Sequence, residues 1–221
     1  MQETQALAAV AALDEPTRRR MYEYVVRRPE PVSRDDVAAA LGVPRATVAF
    51  HLDRLVDEQL LAVGHERRTG RSGPGAGRPA KLYRRSDRQV SISLPERQYE
   101  LAGRLLAEAV EEADQTGGSP REILTRCARE RGAELAAGAQ DIVGTLEDNG
   151  FEPRVEGGEV LLVNCPFHRL ARTHTRLVCE MNLALVEGML DGTGGDGLGG
   201  DGLRARLDPH PGFCCVRLTR D

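Results

Sequence analysis

Four of the five cysteines in this 221-residue chain fall in its last third, at Cys165, Cys179, Cys214 and Cys215. As thiolates they could bind a metal, hold a cluster or react with an oxidant. Cys165 precedes Pro166 at a predicted helix start. Free N–H groups and the helix dipole there favour a thiolate. His168, one turn further, or His174 could add a nitrogen ligand. Geometry restricts the set. In one straight helix Cys165 and Cys179 would stand about 14 × 1.5 Å, roughly 21 Å, apart, too far for one small site. A shared site therefore needs a helix break, and Thr173-His174-Thr175 is the natural place, because threonine can cap a new helix. Cys214 and Cys215 are adjacent, so in a strand they face opposite sides and only one can serve unless the chain turns. Their parity does not choose between them. Cys127 shares a helical stripe with Leu124 and Ala128 and reads as a small core residue. Simple burial as an apolar residue is the plain alternative for every one of these thiols. The odd cysteine count and the absence of an export signal point to a reducing, cytoplasmic setting rather than a disulfide framework.

The second constellation is basic. The chain carries a net charge of −4, yet residues 61–90 hold eight basic residues against two acidic ones. An acidic protein with one concentrated basic segment suggests contact with a polyanion such as double-stranded DNA. Lys81 is the only lysine, and arginine suits both phosphates and base edges. With 40% hydrophobic and 29% charged residues, bulk disorder is excluded, and no apolar run approaches membrane-spanning length, so no membrane partner is expected.

The elements that must position these residues follow from pattern. Ala6 to Leu13 is apolar and helix-favouring. Asp14 can cap a second helix that has Pro16 in its first turn and carries Met21, Tyr24, Val25 and Val26. Ser33 and Asp36 form a capping-box pattern for a third helix that stops at Gly42. Pro44 opens a fourth helix to Glu58, with Val48, Leu52 and Leu55 at helical spacing. Leu61 and Val63 then alternate like a strand, an arginine- and glycine-rich tip runs from Arg67 to Arg78, and Leu82 lies in a second strand. This order is that of a winged helix-turn-helix. Within it the fourth helix offers Arg45, Thr47, His51 and Arg54 to base edges, Arg45 foremost because it sits in the first turn. Phe50 is expected to pack within the domain, and His51 is open to either role. Arg67, Arg68, Arg71, Arg78 and Lys81 make the wing contacts, while Arg18, Arg19 and Arg20 read as a solvated helix face.

Residues 91–118 are expected to link, with a helix from Leu94 to about Gln115. Its Tyr99, Ala102, Leu106, Ala109 and Ala113 could pair across a dimer or pack on the helix's own domain. Ser119, Pro120 and Glu122 predict a second capping box. Arg154–Val155 and Glu159–Val163 flank Gly157-Gly158 as a hairpin, a helical pattern runs from Pro166 to Leu190, and Phe213 to Leu218 reads as a strand. The GGDGL repeat over 194–203 contains GxGxxG matches, but it follows a helix and opens none, so it reads as a loop. The expected architecture is α+β: a winged helix-turn-helix over 1–90, a linking helix over 91–118 and a small α+β domain over 119–221.

The stretches LDEPTRRRMYEYV, SRDDVAAALGVPRATVAFHLDRLVDEQLL and GRPAKLYRR resemble the winged-helix regulators grouped with the ArsR and DeoR types. That resemblance implies a homodimer on a pseudo-palindromic operator. It does not extend to the metal site some ArsR members carry, because residues 1–90 hold no cysteine. The stretches NCPFHRLARTHTRLVCEMNLAL and GFCCVRL resemble the C-terminal half of the iron–sulfur-biogenesis repressors of the SufR type. In that family such cysteines hold an iron–sulfur cluster, of 2Fe–2S or 4Fe–4S type, that controls DNA binding. By position the ligands would be Cys165, Cys179 and one or both of Cys214 and Cys215, with zinc or no metal as the alternatives. The expectation is a non-enzymatic transcriptional regulator, a repressor, controlled by cluster or redox state. A regulator sensing an organic ligand or partner, with structural cysteines, is the second reading. A Cys165 nucleophile with His168 or His174 as base ranks third, for want of an oxyanion element or orienting acid.

Overall fold

A computed structural model describes residues 2–66, 80–193 and 202–220. The chain divides into two compact units, Met1–Ile92 and Ser93–Asp221.

In the first unit α1 (Gln2–Ala12), α2 (Pro16–Val26), α3 (Arg34–Leu41) and α4 (Arg45–Asp57) precede and flank a three-stranded antiparallel sheet. Its strands are β1 (Val32–Ser33), β2 (Leu61–Glu66) and β3 (Ala80–Arg85), in the order β1-β3-β2. The apolar stripes of the helices meet as their spacing demands: Met21 and Val25 from α2, Val37 from α3, and Val48, Leu52 and Leu55 from α4 are all but sealed from solvent. Leu61 and Tyr83 close the core from the sheet. The α3 start is the expected capping box: Ser33 N donates to Asp36 Oδ2 at 2.8 Å and Asp36 N donates to Ser33 Oγ at 3.2 Å. The cap of α2 differs from expectation. Glu15, not Asp14, accepts from the backbone N–H groups of Thr17 and Arg18, because its longer side chain bends back over the first turn. Pro44 is the N-cap of α4 rather than its first residue, and β1 carried too short a signal to be foreseen. The Arg67–Arg78 tip and residues 194–201 of the repeat lie outside the described residues.

The second unit stacks three helices on a sheet. Its helices are α5 (Tyr99–Thr116), α6 (Pro120–Ala136), α7 (Ile142–Asp148), α8 (His168–Thr173) and α9 (Thr175–Gly192). Its strands are β4 (Pro153–Glu156), β5 (Glu159–Leu162), β6 (Leu203–Leu207) and β7 (Val216–Arg220), all antiparallel in the order β4-β5-β7-β6. Helix α9 lies on the sheet, α6 on α9, and α5 on α6. Gly157 and Gly158, at φ 60° and 87°, make the expected two-residue hairpin turn, which needs positive φ at both positions.

Several expectations here are corrected. The helix foreseen from Leu94 begins at Tyr99, and Leu94 is 80% exposed. The buried stripe of α5 is Ala102, Leu105 and Ala109, with Leu106 and Ala113 partly covered, and α6 takes it up within the unit. Ser119 sits at the N-cap of α6, but its side chain makes no capping hydrogen bond. The last strand begins at Val216, because the chain bends at 213–215. Strand β6 was not foreseen.

Candidate nucleic-acid interface and cysteine cluster

In the first unit, Gly42 takes the left-handed conformation, φ 65°, and turns the chain from α3 to α4. With Val48, His51, Leu52 and Leu55 inside, α4 turns Arg45, Ala46, Phe50 and Arg54 to solvent, and Thr47 and Ala49 are half-buried. The Arg45 side chain is 71% exposed, with Nε 2.8 Å from Asp35 Oδ1. Arg54 pairs along the helix with Glu58 at 2.6 Å. A groove runs beside this face, lined by Ser33, Arg34, Asp35, Arg45, His65 and Lys81.

Beneath it, Asp53 is a hub that sequence reasoning missed. Arg34 Nη2 donates to both of its carboxylate oxygens at 2.9 and 2.7 Å, Lys81 Nζ donates to Oδ1, and the Tyr83 hydroxyl donates to the same oxygen at 3.2 Å. Burial alone would raise the Asp53 carboxyl, but the hydrogen bonds from Lys81 and Arg34 outweigh it and hold it below the usual carboxylate range. The hub fastens the start of α3, the middle of α4 and β3 to one another.

Three site expectations change as a result. Lys81, expected as a wing contact, is turned onto Asp53, whose carboxylate raises the ammonium pKa. His51 is only 9% exposed, with Nδ1 3.5 Å from Glu15 Oε2, and is buried too deeply to meet a base edge. Phe50, expected inside, is 67% exposed and touches the edge of the His51 ring at a centroid distance of 5.3 Å. Arg67, Arg68, Arg71 and Arg78 lie outside the described residues.

Against known families, residues 13–64 match a model described as a helix-turn-helix domain. The chain carries a DNA-binding helix-turn-helix domain. Such domains belong to transcriptional regulators, and the match ends just past the start of β2. Searches of curated proteins and of solved structures returned no match. No helix among the described residues is long and apolar enough to cross a membrane.

The second unit brings together four thiols from three separate segments. Cys165 lies in the loop between β5 and α8, Cys179 in the second turn of α9, and Cys214 and Cys215 in the bend before β7. The helix break falls at His174, with φ −126° and ψ 47°. No threonine caps the new helix there: Thr173 and Thr175 instead donate their hydroxyls back to Leu170 O and Ala171 O. The bend at 214–215 is pinned by Cys214 N donating to Leu162 O at 2.8 Å and by Asp208 N donating to Cys215 O at 2.8 Å. Because the chain turns, both adjacent thiols face the same neighbourhood. The thiols act on one another's ionisation in pairs, Cys165 with Cys214, Cys214 with Cys215, and Cys215 with Cys179.

Asn182, fully buried one turn beyond Cys179, donates Nδ2 to Cys214 Sγ at 3.2 Å, and its Oδ1 is without a partner. Neither feature was foreseen. His168 and His174 are exposed and take no part in the thiol links. Cys127 is half-buried on α6 rather than sealed in the core.

The charge preference differs from the sequence expectation. Hydrogen bonding with Cys214, together with burial, raises the Cys165 thiol far above its ordinary value, so the thiolate expected there is disfavoured. The backbone N–H of Phe167, the N-cap of α8, does act on the Cys165 thiol and lowers its value, as Arg97 does, but neither prevails. Cys215, bonded to Cys179 and buried, is pushed up to about 12. For Cys214 the bond with Cys165 lowers the value, but the bond with Cys215 and burial prevail and push it up to about 12. Cys179 alone is lowered, by the hydrogen bond from Cys215 acting against burial. It is therefore the first of the four to ionise.

The loop of Cys165 is also tied to the start of the unit. Arg97 Nη1 donates to Asn164 Oδ1 and, at 3.2 Å, to Cys165 O. Asn164 Nδ2 donates to Glu96 O at 3.0 Å and to Gly150 O at 2.6 Å.

As they stand, the four sulfurs are a chain of pairwise neighbours rather than a closed ring. Among the described residues no group of three or more His, Cys, Asp or Glu side chains is gathered tightly enough to hold a metal ion. The donor set itself suits a sulfur-ligated group: four thiols, a buried amide donor onto one sulfur, and an orphaned amide oxygen beside it.

Proposed function

We propose that this protein is a homodimeric transcriptional repressor whose DNA binding is governed by an iron–sulfur cluster held on Cys165, Cys179, Cys214 and Cys215. The observation that carries this reading is the convergence of four cysteines, from the β5–α8 loop, α9 and the bend before β7, into one neighbourhood, where Asn182 of α9 reaches the Cys214 sulfur and the thiols shift one another's ionisation. Four cysteines could hold either an iron–sulfur cluster or a zinc ion, and the metal analysis below distinguishes them. Bound there, the cluster would supply a redox- and iron-dependent ligand that ties the three segments together. Asn182 would orient the Cys214 sulfur, and Cys179, the readiest to ionise, would bind first.

Without the cluster the segments carrying Cys165, Cys179 and Cys214–Cys215 would be free to repack, and that repacking would be the input to DNA binding. In the first unit, Arg45 and Arg54, exposed on α4, are the side chains that would meet base edges and phosphates. A dimer must hold its two recognition helices about 34 Å apart to match successive major-groove turns, so a small repacking costs affinity. The cavity beside Cys214 holds only about 110 Å³ and leaves little room for an organic effector at this place.

Anaerobic purification with iron, sulfide and zinc analysis tests the reading. Visible absorbance with iron and sulfide, lost in Cys179→Ser, supports it. A colourless, iron-free anaerobic preparation overturns it.

A further inference from the structure

We propose that Phe50 is a specificity-determining residue that packs on the 5-methyl group of a thymine in the major groove. The inference rests on the DNA-binding reading of the first unit and goes beyond it by naming a base and the side chain that reads it.

An exposed phenylalanine in the middle of α4 has no folding rationale. The core is already filled from that helix by Val48, Leu52 and Leu55, and Phe50 faces the other way at 67% exposure. Around it the helix presents Arg45, Ala46 and Ala49 toward its N-terminal end and Arg54 one turn on. The two alanines keep the flanks low, so the backbone can approach a surface with the ring standing proud. The arginines at either end bring positive charge, complementary to a polyanion, although each also meets an acid, Arg45 with Asp35 and Arg54 with Glu58. In the DNA major groove the one apolar group on a base edge is the thymine methyl, and phenylalanine is among the side chains that contact it. The backing of the ring is fixed as well. The His51 edge lies against it at 5.3 Å, and Asp53, three residues on, anchors the helix to Arg34 and Lys81. A ring so supported offers a fixed apolar plane, where a long flexible side chain would not.

The experiment uses the full-length protein, prepared anaerobically. A binding site is first selected from random duplexes, and each of its thymines is then replaced singly by deoxyuridine, which removes only the methyl group. The parent is expected to lose affinity about fivefold to tenfold at one symmetric pair of positions. Phe50→Ala is expected to bind more weakly by a similar factor and to be indifferent to uracil at that same pair, with Phe50→Leu in between. Thermal melting of both variants checks that the domain is intact, and sedimentation checks the association state. The proposal is overturned if the parent tolerates uracil everywhere, or if Phe50→Ala keeps the methyl preference at that pair. A variant that changes association state and leaves base preference untouched also overturns it, and marks Phe50 as a protein contact. Selection that enriches no sequence at all defeats the DNA-binding reading itself, a result separate from the other three.

Discussion

Asp53 shows how one side chain organises a reading surface without touching DNA. Its carboxylate receives Arg34, Lys81 and Tyr83 from two other elements. Its pKa is lowered on folding, so the stability it contributes is present above the ordinary carboxylate range and is lost as pH falls through the lower folded value. Asp53→Asn is expected to cost about 1 kcal/mol near neutral pH, modest because Asp53 and its two charged partners, Arg34 and Lys81, are all partly exposed. It should also flatten the acid limb of the stability curve, as read by thermal melts between pH 7 and 3. In the second unit, titrating thiolate absorbance in cluster-free protein should show one early ionisation, absent from Cys179→Ser. These roles were only partly legible in the sequence. The cysteines and the break between Cys165 and Cys179 could be read from spacing. Which thiol ionises could not, since that depends on Cys215 donating across the fold. Nor could the hub: Arg34, Asp53 and Lys81 look like surface charges until the fold gathers them. Phe50 was expected inside and is exposed, while its neighbour His51, left open to either role, is buried, because a one-residue step on a helix turns a side chain by about 100°.

Among the elements, α6 and α9 approach more closely than any side chain between them would permit. A Cβ on Gly188 would fall 1.9 Å from Arg129 O, and one on Gly132 would fall 2.0 Å from Leu185 O. Gly188→Ala is therefore expected to push the helices apart at a cost of about 2 kcal/mol or more, displacing Cys179 and Asn182 on α9 and weakening cluster retention. Gly103→Ala on α5 is the control: nothing lies within 4 Å of its Cβ, and alanine should raise helix stability by up to about 1 kcal/mol. Chemical denaturation of the two variants side by side checks both. The Ser33 capping box and the Gly157-Gly158 hairpin were readable because their signals are local. Strand β6 alternates Leu203, Arg204, Ala205, Arg206 and Leu207, a strand pattern obscured by the glycine repeat before it. The stripe of α5 was readable as a stripe, but its partner was not, since α6 and a second copy of the chain would ask for the same residues.

At the scale of the whole molecule, the two units carry different chemistries, and the proposed function requires them to communicate. Operator affinity measured anaerobically before and after cluster removal should differ at least fivefold if the units are coupled, the low end of typical coupling energies. Cys179→Ser should remove the difference. The amide of Asn164 gives that communication a physical starting point. Together with Arg97 it binds the opening residues of the second unit, Glu96 and Arg97, to the backbone of Cys165. Those residues follow the end of the reading unit by only a few positions. Under the proposed function, a shift of the Cys165 loop would pass through these bonds to the chain that leads from the first unit. Replacing both Arg97 and Asn164 by alanine removes every one of these side-chain links, and the pair of changes is expected to keep anaerobic iron content while operator affinity no longer responds to cluster removal.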